Sequence, residues 1–78
     1  MEHIIYYLSK ICNEYRLDTC KDVEQLLSYN LPYNVLSAKL SDVLTKMSKE
    51  AREKGLNEIA ENLHALSKEA QEAGVYDI

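Results

Sequence analysis

The stretch LSDVLTKMSKEAREKGLNEIAENLHAL, Leu40 to Leu66, decides the fold. Before its glycine, Leu40, Val43, Leu44, Met47 and Ala51 recur at steps of three and four; after it, Leu56, Ile59, Ala60, Leu63 and Leu66 do the same. At about 100° per residue each set lies on one side of a helix, the pattern of a segment with one buried face. Gly55 between them supplies the left-handed residue that ends many helices. The spacing therefore predicts an antiparallel hairpin. One helix runs over about 34–54 and takes in Leu36, and the other over about 56–73 and takes in Ala70. Gly74 is the expected stop, leaving a tail at 75–78.

Upstream of the hairpin the same periodicity predicts two shorter helices. Over about 2–16, Ile4, Leu8, Ile11, Cys12 and Tyr15 form one stripe, with Tyr6 nearly opposite it. Over about 20–29, Val23, Leu26 and Leu27 form another, with Thr19 as the expected N-cap and Asp22 completing a capping-box-like pair. Pro32 lacks a backbone donor and restricts Leu31, so the second helix should break at Asn30 or Leu31, and Asn34 should cap the next one. Strand-like alternation is absent. The expected class is all-α: one small four-helix domain over 1–78, a short helix pair followed by a longer hairpin.

A chain of 78 residues leaves a single core little surplus over chain entropy. Self-association or an obligate partner is the expected support. The opening MEHIIYYLSKIC has Glu2 where a signal peptide has a basic start, and its apolar run stops at Ser9 and Lys10. No apolar run reaches the length of a membrane span. These features predict a cytoplasmic protein without membrane contact, and in a reducing compartment Cys12 and Cys20 are most simply free thiols, with a disulfide as the alternative.

Thirteen acidic residues against nine basic ones give a formal charge of −4, which repels a phosphate backbone. The stretch SYNLPYNVLSAKL, Ser28 to Leu40, has the lengths of a helix-turn-helix corner, with Asn34, Ser37 and Lys39 as the groove-facing candidates. It offers no arginine for a bidentate contact to guanine and no glycine in its turn. The expectation is a corner in a bundle, with DNA binding by a divergent helix-turn-helix as the alternative. The run KEAREK, with Glu50 four residues before Lys54, reads as a solvated helix face.

Glu61 and His64 stand in the E-x-x-H spacing that helical bundles use, together with further carboxylates, to hold two metal ions. The surrounding AREKGLNEIAENLHAL resembles a helical hairpin of rubrerythrin-type ferritin-like proteins over less than a third of the chain. That resemblance implies a metal-binding bundle with a second ligand pair near Ala70 and Ala73, where no ligand side chain stands. Helix geometry also turns Glu61 and His64 away from the apolar stripe. No nucleophile elbow, cysteine signature or phosphate-cradling loop occurs. The sequence predicts no catalytic, cofactor-binding or metal-binding residue, and no enzyme.

Six tyrosines with no phenylalanine or tryptophan are a composition suited to surfaces where one end of a ring stays wet. Ile5, Tyr6 and Tyr7 form the first candidate contact patch, and Tyr29 and Tyr33, beside the proline, the second. The sequence thus predicts a non-enzymatic protein–protein interaction module, a small regulator, inhibitor or adaptor that binds another protein or itself as a homo-oligomer. It predicts no cofactor.

Overall fold

Gly55, with φ at 81°, turns the chain back on itself, and the carbonyls left over by the preceding helix are met on the spot. The amide of Gly55 donates to the Arg52 carbonyl and that of Leu56 to the Ala51 carbonyl. These two bonds make a Schellman stop. A computed structural model of the chain describes the backbone of residues 2–76 and the side-chain surroundings of residues 2–72. It contains α1 (Glu2–Glu14), α2 (Thr19–Ser28), α3 (Tyr33–Glu53) and α4 (Asn57–Tyr76), and no strand among the described residues. The all-α class and the long hairpin stand as expected.

The hairpin closes on a seam of small residues. Ser37, Ser41, Leu44, Ser48 and Ala51 on α3 step by four and three, and Ala60, Leu63, Ser67 and Ala70 on α4 do likewise; all nine are buried. This repeat of seven keeps one seam facing the partner helix. Ser41 Oγ donates to the Ser67 carbonyl at 3.0 Å, Ser67 Oγ donates to the Ser41 carbonyl at 2.9 Å, and Ser48 Oγ donates to the Ala60 carbonyl at 2.8 Å. A serine can reach a backbone carbonyl across an interface only when no larger side chain separates the helices. The small residues therefore bring α3 and α4 together, and their hydroxyls fix the register.

A second side of α3, carrying Leu40, Leu44 and Met47, completes the core with Ile4, Leu8 and Ile11 of α1 and Val23 and Leu26 of α2. Leu8, Leu40, Leu44, Met47 and Leu63 have no exposed surface, and each such burial contributes roughly 1.5–3 kcal/mol. Helix α1 is tied to α4 at its outer edge. His3 Nε2 lies 2.8 Å from Glu69 Oε1, and Asn62 Nδ2 donates to Tyr7 Oη at 3.2 Å. The α1 stripe is thus satisfied within the chain. The radius of gyration, 11.7 Å, is close to the roughly 11.5 Å of a compact chain of this length.

Several local expectations give way. Thr19 is the first residue of α2 and not its cap; Asp18 precedes the helix, and no side-chain cap bond forms there. Pro32, not Asn34, precedes α3, whose first bond runs from the Leu36 amide to the Pro32 carbonyl. Proline suits that place because its fixed φ is near the helical value and a missing amide costs nothing there. Helix α1 ends at Glu14, two residues early, because the chain must turn to bring Leu17 into the core. Helix α4 passes through Gly74 to Tyr76, since one glycine within a helix costs only about 1 kcal/mol. The last two residues of the expected tail, 77–78, lie outside the described residues.

Cys12 and Cys20 are joined. Their Cα atoms stand 5.9 Å apart and their sulfurs are at bonding distance, so the free-thiol expectation is replaced by a disulfide between α1 and the first turn of α2. The free-thiol expectation rests on a reducing compartment. The short connection from Glu14 to Thr19 nevertheless leaves the two cysteines facing each other.

Candidate functional site

Helix α2 has ten residues and buries Thr19, Val23 and Leu26. Its position is set at both ends. At the N-terminus the carboxylate of Glu50, a full turn before the end of α3, accepts from the amides of Asp18 and Thr19 and from the Thr19 hydroxyl. A residue distant in sequence thereby does what a local cap ordinarily does for orphan amides. Burial alone pushes the Glu50 carboxyl up, but the bonds from Thr19 and Asp18, with Lys54 at 3.4 Å, outweigh it and lower the pKa from 4.5 to about 2. The expectation that KEAREK is only a solvated face fails at this residue.

At its C-terminus α2 ends at Ser28, Tyr29 takes an extended backbone, and Leu31 folds half-buried against the core. Between this corner and α3 lies a cleft of about 460 Å³. Leu26, Leu31 and Val43 give it an apolar floor, and Tyr29 stands at its rim. Asp22 and Gln25 line it from α2, and Lys39 and Asp42 line it from α3. Neither aspartate forms an ion pair among the described residues. Among the described residues four large apolar or aromatic side chains are exposed, namely Tyr6 (73%), Tyr29 (56%), Tyr33 (47%) and Leu27 (37%). Three of them sit within residues 27–33, and of these Tyr29 lines the cleft.

The two candidate patches read from the sequence are placed differently. On α1, Tyr6 stands in solvent, but Ile5 and Tyr7 are half-buried against the core, and Tyr7 Oη is engaged by Asn62. They do not form one continuous exposed ridge with Tyr6. Tyr29 and Tyr33 are both exposed and flank the corner, which adds Leu27, a residue the sequence had placed on the buried stripe. Helix periodicity gave no signal for the cleft, because its floor includes Leu31 from the connection.

Of the residues proposed to face a DNA groove, Asn34 and Lys39 are exposed, whereas Ser37 is fully buried in the hairpin seam. It cannot read a base edge from there. Glu61 and His64 are both exposed on α4, and no three histidine, cysteine or acidic side chains converge among the described residues. Among those residues, no helix is long and apolar enough to cross a membrane.

Comparison with known protein families, with characterised proteins and with solved structures gives no match for this chain.

Proposed function

We propose that the chain is a non-enzymatic protein-binding module that docks a partner protein on the corner at residues 27–33 and in the adjoining cleft, acting as a small cytoplasmic regulator, inhibitor or adaptor. The observation that carries this reading is the exposure of Leu27, Tyr29 and Tyr33 within one short stretch of chain, with Tyr29 also lining a cleft that Leu26, Leu31 and Val43 make apolar. Aromatic side chains around such a floor are the composition of interface centres. The non-enzymatic part rests on the placement of the side chains: Cys12 and Cys20 are half-buried against the core, and His3 and His64 lie on exposed helix faces. In the cytoplasm a reductant would hold Cys12 and Cys20 as thiols.

The test is affinity capture of the tagged chain from nuclease-treated lysate of its source, run beside Leu27→Glu/Tyr29→Glu and Tyr6→Ala variants of unchanged helix content. Docking at the corner predicts one stoichiometric protein retained by the parent and by Tyr6→Ala and lost by the double variant. Equal retention by all three would move the contact elsewhere. Loss by Tyr6→Ala alone would move it to α1. A catch that disappears with nuclease would favour nucleic acid, and recovery of the chain's own untagged copy would favour a homo-oligomer.

A further inference from the structure

Resting on that docking reading, we infer that the α2–α3 cleft takes a basic partner segment, one that lays an aliphatic side chain on Leu26, Leu31 and Val43 and sets a lysine or arginine between Asp22 and Asp42. The argument is charge complementarity around an apolar floor. Asp22 projects from α2 and Asp42 from α3, so carboxylates stand on both walls, and neither has an ion-pair partner among the described residues. The C-terminal end of α2 adds to them. Its last turn holds no basic residue, so no cation of its own offsets the partial negative charge of its carbonyl end, where Ser28 Oγ donates to the Gln25 carbonyl. The cleft opens beside that end, where Tyr29 offers a ring face on which a guanidinium can stack. Lys39, on the α3 wall, is the single opposing charge.

The sign of each charge matters because an acidic partner would have to desolvate against two carboxylates and a helix C-terminus. The formal charge of −4 over the whole chain steers basic partners toward it at a distance, and the cleft selects among them at contact. Aliphatic floor and flanking cations together describe an amphipathic helix with basic flanks, a form in which partner segments commonly enter grooves.

The inference is tested by amide-resolved NMR titration of the full chain with three N-acetylated, C-amidated helical peptides. Each carries leucines at i, i+3, i+4 and i+7, with arginine, glutamate or glutamine at the remaining surface positions. The arginine peptide should shift amides of 22–31 and 39–43 in a saturable way. Asp22→Asn/Asp42→Asn should weaken it about fivefold and lower the melting temperature only slightly, since Asp22 also stands in the first turn of α2, and Lys39→Gln should tighten it about twofold. Shifts scattered over the surface, or affinity indifferent to the three substitutions, would overturn the assignment. If the glutamine or glutamate peptide fills the same cleft as well as the arginine one, docking stands and the basic partner falls. If no peptide moves the cleft amides, the basic-partner assignment falls, and the capture experiment with Leu27→Glu/Tyr29→Glu then decides separately whether docking at the corner falls too.

Discussion

Glu50 Oε1 accepts from the Thr19 amide at 2.9 Å and from the Thr19 hydroxyl at 2.7 Å, so the carboxylate of one helix serves as the cap of another. The bond spans 31 residues of sequence, and it fixes the wall of the candidate cleft to the hairpin. Because the cap is a charge, its strength follows pH. A carboxyl whose folded pKa is lowered from 4.5 to about 2 contributes stability that is complete above about pH 5 and is lost as the pH falls toward 2. Glu50→Gln should cost about 1–2 kcal/mol at neutral pH and flatten the acid limb of the stability curve. Urea denaturation from pH 7 down to pH 3 checks this. An acid limb of the same slope in the variant would assign the loss to other carboxylates.

The disulfide closes a loop of sequence separation eight between α1 and α2. Constraining the unfolded chain in this way contributes about 2–3 kcal/mol, which for a domain of this size is roughly 10–20 °C in melting temperature. Calorimetry with and without a dithiol or phosphine reductant should show that drop. Cys12→Ser/Cys20→Ser should melt at the reduced value and ignore the reductant. Rapid alkylation in intact cells then measures the compartment: thiols alkylated in the native protein indicate a reducing one.

Helix positions and the hairpin turn were legible in the sequence because leucine spacing and Gly55 are local signals. The candidate site was legible only in part, since Tyr29 and Tyr33 were named but the cleft beside them was not. What escaped was non-local. Glu50 looks like any residue of a charged helix face until α2 is laid against it. Leu17 lies between helices, where periodicity says nothing, yet it is buried. The serines of the seam could have been found, because Ser37, Ser41 and Ser48 keep the same repeat as Leu44 and Ala51. A leucine-weighted reading passes over them.

That seam predicts an order of stability. Ser67→Ala removes a bond to the Ser41 carbonyl and contacts with the Ser41 and Thr45 hydroxyls, at a cost of about 1 kcal/mol. Ser67→Leu keeps none of these and also forces α3 and α4 apart, adding about 1–3 kcal/mol. Denaturant midpoints should fall from parent to alanine to leucine. A leucine variant as stable as the parent would mean the helices are not held close by small residues.

Gly55 separates backbone strain from steric crowding, because a Cβ there would meet nothing within 4 Å while φ is 81°. Gly55→Ala should therefore cost about 1 kcal/mol through conformation alone, and Gly55→Asn less, since asparagine tolerates the left-handed region better. Chemical denaturation of the two variants checks the order. Equal losses would point to crowding that the open space around Gly55 does not contain.

Ser37 gives the sharpest separation between the two readings of the α2–α3 corner. It has no exposed surface, and its hydroxyl has no hydrogen-bond partner among the described residues. An unsatisfied buried hydroxyl is a net cost, so Ser37→Ala should leave the protein as stable as the parent or up to about 1 kcal/mol more stable. Ser37→Lys should be severely destabilising, because it drives a charge into the seam between α3 and α4. A residue that faced a DNA groove would behave in the opposite way, with lysine tolerated by the fold and phosphate binding strengthened. Thermal melts of the two variants, read beside a low-salt nucleic-acid titration, decide between them: a stable lysine variant with stronger DNA binding would return the corner to the helix-turn-helix reading.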